Sequence, residues 1–165
     1  SSRRRHTRLQ GDWSSDVCSS DLDVAKDEMF VAEKGTGAWM NDARIRVSDR
    51  RYMRDSIYAT GLPFSGKPDL PATLKDLAAL LPACAGVRRW GTASLDLTYV
   101  AAGRYDGFWE RDLNIWDTAA GIIIAREAGA IVEGIDPATS AEQSGDVICA
   151  SGVQFDTFAK LIRAS

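Results

Sequence analysis

Histidine is nearly missing from this sequence: its 165 residues contain one, His6. That residue lies in an N-terminal stretch unlike everything after it, so residues 23–165 offer no Ser-His-Asp or Cys-His nucleophile system and no His-ligated zinc site. Cysteine is scarce as well, with Cys18, Cys84 and Cys149 far apart and in no Cys-x-x-Cys spacing. Cys84 and Cys149 read as buried, reduced thiols of a cytoplasmic protein. Long apolar runs are absent too. The run at 119–125 falls far short of the roughly 20 residues a spanning helix needs, so no membrane is expected. Neither sign of charge dominates: the formal net charge is -3 and the pI about 5.2, which argues against a nucleic-acid footprint or a polybasic membrane anchor. With 45% hydrophobic and 26% charged residues, the chain has the composition and length of one globular domain.

Residues 1–22, SSRRRHTRLQGDWSSDVCSSDL, carry no helical or alternating apolar period. Polar residues follow the arginines where a secretory signal would place an apolar stretch. The segment resembles the read-through translation of a sequencing adapter and is set aside as a non-native or disordered leader. Its removal is expected to change stability by no more than about 0.5 kcal/mol, the range of an ordinary surface change.

From residue 23 onward the pattern is regular. Residues 29–32 and 38–40 read as a hairpin around Lys34-Gly35-Thr36-Gly37, and 45–47 as a third strand after the Asn41-Asp42 turn. Residues 56–61 form a further strand. Leu70, Leu74, Leu77 and Leu81 then fall at helical spacing up to Pro82. Strands at 86–90, 106–110, 131–132 and 147–150 alternate with helices at 93–101, 117–128 and 155–162, which predicts a layered α/β domain. Trp116 and residues 122–124 are expected in the core, because a helix apolar on nearly all sides is normally buried between layers.

Chemistry gathers at two strand-to-helix turns. Asp117 opens the longest expected helix, where an acidic side chain satisfies free N–H groups and meets the positive end of the helix dipole. Glu110 closes the strand before it, so both carboxylates can face one sheet edge. Gly91-Thr92-Ala93-Ser94 repeats the geometry, with a glycine, a hydroxyl at the cap position and free N–H groups for an oxyanion or a hydroxyl. Each turn alone is an ordinary helix cap. Two of them at one edge, without histidine, suggest a carboxylate-bound hard metal with a phosphate or polyol ligand.

Trp116-Asp117-Thr118-Ala119-Ala120-Gly121 with Arg126-Glu127-Ala128-Gly129-Ala130 resembles the C-terminal signature of the inositol monophosphatase family. RRWGTASLDLTYVAAGRYDGFWE at 88–110 resembles the segment before that signature, and DEMFVAEKGTGAWMNDARIRVS at 27–48 the middle of the family's chain. The resemblance implies a layered αβαβα sugar-phosphatase-like fold and a Mg2+-dependent phosphomonoesterase acting on inositol monophosphate, a homodimer when full length. It also implies roles. Asp117 would ligate the metal and approach substrate hydroxyls as the catalytic residue, Glu110 would bind an inositol hydroxyl, and Gly91, Thr92 and Ala93 would contact the ring.

The family's other metal ligands lie in Gly-x-Glu-Glu and Asp-Pro-x-Asp-Gly-Thr segments, and neither occurs in this sequence. Residues 23–165 are therefore expected to form a partial domain, the C-terminal half, with an incomplete magnesium site and little activity. Another phosphatase of the superfamily, acting on a nucleotide 3'-phosphate or histidinol phosphate, is one alternative. A non-catalytic binding module is the other.

Overall fold

The computed structural model describes residues 18–63 and 70–165. Its first sheet is an antiparallel meander of β1 (Cys18–Asp23), β2 (Glu28–Glu33), β3 (Gly37–Met40) and β4 (Ala43–Ile45), hydrogen-bonded in that order. Asn41 and Asp42, at φ 46° and 70°, make the tight turn from β3 to β4. Strand alternation sends Phe30, Ala32, Ala38 and Ile45 to one buried face. Val31 and Trp39, paired across β2 and β3, stand half-buried on the other.

The second sheet runs β6-β5-β7-β9-β8. Its strands are β5 (Ile57–Thr60), β6 (Gly86–Arg88), β7 (Gly107–Glu110), β8 (Ala130–Gly134) and β9 (Val147–Ser151). β5 is parallel to β6 and β7, while β9 is antiparallel to β7 and β8. Helices α2 (Ala93–Ala101) and α3 (Ile115–Glu127) lie between the sheets, where Leu97, Val100, Ile122 and Ile124 join Phe30 and Phe108 in one core cluster. On the far face of the second sheet, α1 (Leu70–Leu80) packs against α5 (Phe155–Arg163), with Tyr58, Leu80, Trp109, Phe158 and Ile162 forming a second cluster. A short α4 (Ala141–Ser144) caps the β8–β9 connection. The described residues thus stack as sheet, helices, sheet, helices, consistent with the layered αβαβα architecture that the family resemblance implies.

Several expectations shift. β1 takes in residues 18–22 of the stretch set aside as a leader; residues 1–17 lie outside the described residues. Pairs such as Ser20 with Val31 use only main-chain N–H and C=O groups, so polar side chains do not prevent the strand. Truncation through Leu22 is now expected to lower stability by more than the ~0.5 kcal/mol of a surface change, since it strips the partner from one edge of β2. Chemical denaturation of the full and truncated chains checks this.

The third strand ends at Ile45 rather than 47, because the Val47 N–H leaves the ladder and donates to Ala128 O at 3.2 Å. The longest helix begins at Ile115, so its N-cap is Asn114 and Asp117 sits inside the first turn, its N–H donating to Asn114 O at 3.0 Å. Trp116 is not core: it is 78% exposed, on the opposite side of the first turn from the buried Thr118. Ile122 and Ile124 are fully buried, whereas Ile123 between them is only half-buried. In α1 the period holds but the face does not. Leu70 and Leu74, and Leu81 in the 3-10 turn just past the helix, are about half exposed, and the buried side includes Thr73 and Asp76.

Candidate functional site

Both sequence-identified turns open onto one cavity of about 570 Å³ at the strand-end edge of the second sheet. Gly91, Thr92, Ala93, Glu110 and Asp117 all line it. Gly91 turns the chain at φ 94°, and Thr92 in extended geometry is the N-cap of α2. The Thr92 main-chain oxygen accepts from the Asp96 N–H at 2.9 Å, while its hydroxyl makes no capping bond to the helix.

Two close approaches bring these parts together. At Gly121 a Cβ would lie 2.8 Å from Leu97 Cβ and 3.1 Å from Ser94 O, so the glycine lets α3 rest directly on α2 and sets the two helix starts side by side. At Gly61, just past β5, a Cβ would stand 1.8 Å from Glu110 Oε1. The absent side chain is the space the Glu110 carboxylate occupies. The loop from β7 to α3 is fixed from behind: Asp112 N–H donates to Asp146 Oδ1 at 3.0 Å and Leu113 N–H to Gly145 O at 3.0 Å.

Residues that the sequence does not assign to the site also line the cavity, among them Arg89, Asn114, Ser20 and Asp21 of β1, and Trp116, expected instead in the core. Arg89 carried a signal, being two residues before the Gly91 turn. Asp96 lies one helical turn beyond Thr92 and is fully buried, with neither carboxylate oxygen hydrogen-bonded. Burial first, then the charge of Glu110, pushes its pKa up to about 7, against an opposing effect of Arg89. An acidic residue three positions after Ala93 and one before Leu97, on an apolar helix face, was the clue in the sequence.

Asp117, Glu110 and Asp21 each reach the cavity wall. Among the described residues, however, no group of three His, Cys, Asp or Glu side chains is placed to hold a metal ion. Magnesium takes near-octahedral oxygen coordination, and this donor set does not supply it. The wall offers groups for binding: helix-start N–H groups and the Arg89 charge suit an anion, and carboxylates and hydroxyls suit a polyol.

A layered fold with a cavity at two helix starts beside a strand-end carboxylate agrees with what residues 22–165 match, and the chain belongs to the inositol monophosphatase family. It is 45% identical over 125 residues to the inositol-1-monophosphatase of Rhizobium meliloti, covering 76% of this chain and 47% of that protein. It is 44% identical over 129 residues to the Nus factor SuhB of Vibrio cholerae, covering 78% of this chain and 48% of that one. Among solved structures, extragenic suppressor protein suhB from Bartonella henselae superposes with a TM-score of 0.85 at 40% identity, over 89% of this chain and 56% of that one. The chain spans about half the length of these relatives. Among the described residues no helix is long and apolar enough to cross a membrane.

Proposed function

We propose that this chain carries the substrate-recognising wall of a cytoplasmic phosphomonoesterase whose substrate is a phosphorylated polyol, inositol monophosphate. The observation that carries this reading is the convergence of Gly91, Thr92, Ala93, Glu110 and Asp117 on one cavity from two separate strand-to-helix turns. Glu110 accepts a hydrogen bond from a ring hydroxyl, held in place across Gly61. The Gly91–Ala93 turn offers N–H groups and the Thr92 hydroxyl to the ring, and Arg89 faces the phosphate. Asp117, the catalytic residue of the reading, points a carboxylate to the phosphate end. The family resemblance assigns the reaction at phosphorus to Mg2+, for which Asp117 is one ligand. The remaining ligands belong to the part of the family's length that this chain does not span, so turnover by these 165 residues is expected to be low. The homodimer usual for the family is likewise a property of the longer protein.

The lack of three clustered metal-ligating side chains among the described residues favours a second reading, a binding module without catalysis. Some relatives at similar identity are named Nus factor SuhB rather than phosphatase. Calorimetric titration with myo-inositol 1-phosphate separates these. On the first reading the chain binds the ligand and Glu110→Gln weakens it about 10-fold, the loss of one hydrogen bond to a charged acceptor. No binding, or binding indifferent to Glu110, supports the second.

A further inference from the structure

Glu110 ends β7, and beyond it the chain leaves the sheet through Asp112 at φ 57°. A strand end is free to twist unless something holds it. In front, the Glu110 carboxylate lies where a Cβ on Gly61 would be. Behind, strand alternation sends the neighbours of Glu110 to the opposite face. Trp109 and Arg111 both reach a single carboxylate there, that of Asp76 on α1. Trp109 Nε1 donates to Asp76 Oδ2 at 3.0 Å, Arg111 Nη2 donates to Oδ1 at 3.2 Å, and Arg111 Nη1 pairs with Oδ2. The Ser165 hydroxyl also donates to Oδ1. Asp76 is fully buried and the Arg111 side chain only 17% exposed. A buried ion pair is poor value as a source of stability, since an apolar replacement of similar size often serves as well. Its geometry here brackets one residue, gripping the side chains on both sides of Glu110. It also explains why α1 turns Asp76 inward while Leu70 and Leu74 stay half exposed.

We propose that Asp76 is a positioning residue for Glu110: through Trp109 and Arg111 it fixes the end of β7 so that the Glu110 carboxylate stays across Gly61 and faces the cavity. The ligand part of this rests on the function proposed above; the placement of Glu110 does not.

Two measurements on the 165-residue chain test it. The first needs no ligand: in crystal structures of Asp76→Asn and Asp76→Leu, the Glu110 carboxylate is expected to leave the Gly61 position by about 1 Å or more, a displacement of the size that matters to site chemistry. If one variant does not fold, the other decides. A carboxylate that stays in place overturns the proposal. The second is affinity for myo-inositol 1-phosphate. Asp76→Asn is expected to weaken binding about 10-fold, as Glu110→Gln does, and the double variant no further, because both act through one contact. Additive losses would overturn the proposal and leave Asp76 a structural residue. Should the unaltered chain and Glu110→Gln bind alike, the functional reading fails, and the position of Glu110 in the variant structures alone decides the role of Asp76.

Discussion

Ile124→Asp is expected to abolish folded, soluble protein. Ile124 is fully buried in α3 between the two sheets, in the cluster that includes Phe30, Leu97 and Phe108. An unpaired carboxylate there loses its hydration and gains no partner, a penalty of several kcal/mol against a total stability of about 5–15 kcal/mol. The position matters within the Ile122-Ile123-Ile124 run. Ile123 is half-buried, so an aspartate there can turn toward water, and Ile123→Asp is expected to remain soluble with reduced stability. Expression and circular dichroism of the two variants side by side check the assignment of faces. Equal behaviour of the two would show that α3 does not lie between the sheets in this orientation.

Asp96→Asn is expected to make stability less dependent on pH, in a stated direction. The carboxyl has an ordinary value of 3.8 in the unfolded chain and about 7 in the fold, raised by burial and by Glu110. Between those values the folded protein holds a proton that the unfolded chain has lost. The favourable contribution of protonated Asp96 is therefore complete below about pH 4 and disappears as pH rises through about 7. At 1.36 kcal/mol per pH unit, the loss reaches up to about 4 kcal/mol by pH 8. An asparagine of the same size does not ionise, so its stability relative to the unaltered chain should rise between pH 4.5 and pH 8. Glu110 and Arg89 act on Asp96, and Tyr105 also feels its charge. Because they are retained in the variant, the difference isolates Asp96. Denaturant midpoints for both proteins across that range provide the measurement, and a constant difference would mean that Asp96 is solvated and titrates normally.

Much of the fold is legible in the sequence because the periods are local. The Phe30 and Ala32 alternation, the Asn41-Asp42 turn and the glycines after α2 and α3, Gly103 and Gly129, mark elements that the structure contains. What escaped was decided by tertiary packing. The α1 leucines repeat at helical spacing, yet the buried face is chosen by Asp76 meeting Trp109 and Arg111, residues more than thirty positions away. Trp116 is apolar in the sequence but lines the cavity, where it is 78% exposed among the described residues. β1 was invisible because its sequence, Cys18 to Asp23, is mostly polar and carries no apolar alternation. The site residues were legible for a different reason: Glu110, Asp117 and the Gly91 turn each stand at a strand end or helix start. Gly61 and Asp76 were not, since a close approach and a support from behind leave no local pattern.

On the function proposed, Gly91, Thr92, Ala93, Glu110 and Asp117 form one surface that recognises a phosphorylated polyol. A crystal structure of the chain with myo-inositol 1-phosphate tests it most directly. The ligand is expected in the cavity of about 570 Å³, with a ring hydroxyl on the Glu110 carboxylate, the ring against the Gly91–Ala93 turn and the phosphate toward Arg89 and Asp117. A ligand bound elsewhere, or a cavity that stays without ligand at concentrations that saturate a longer relative, would contradict it.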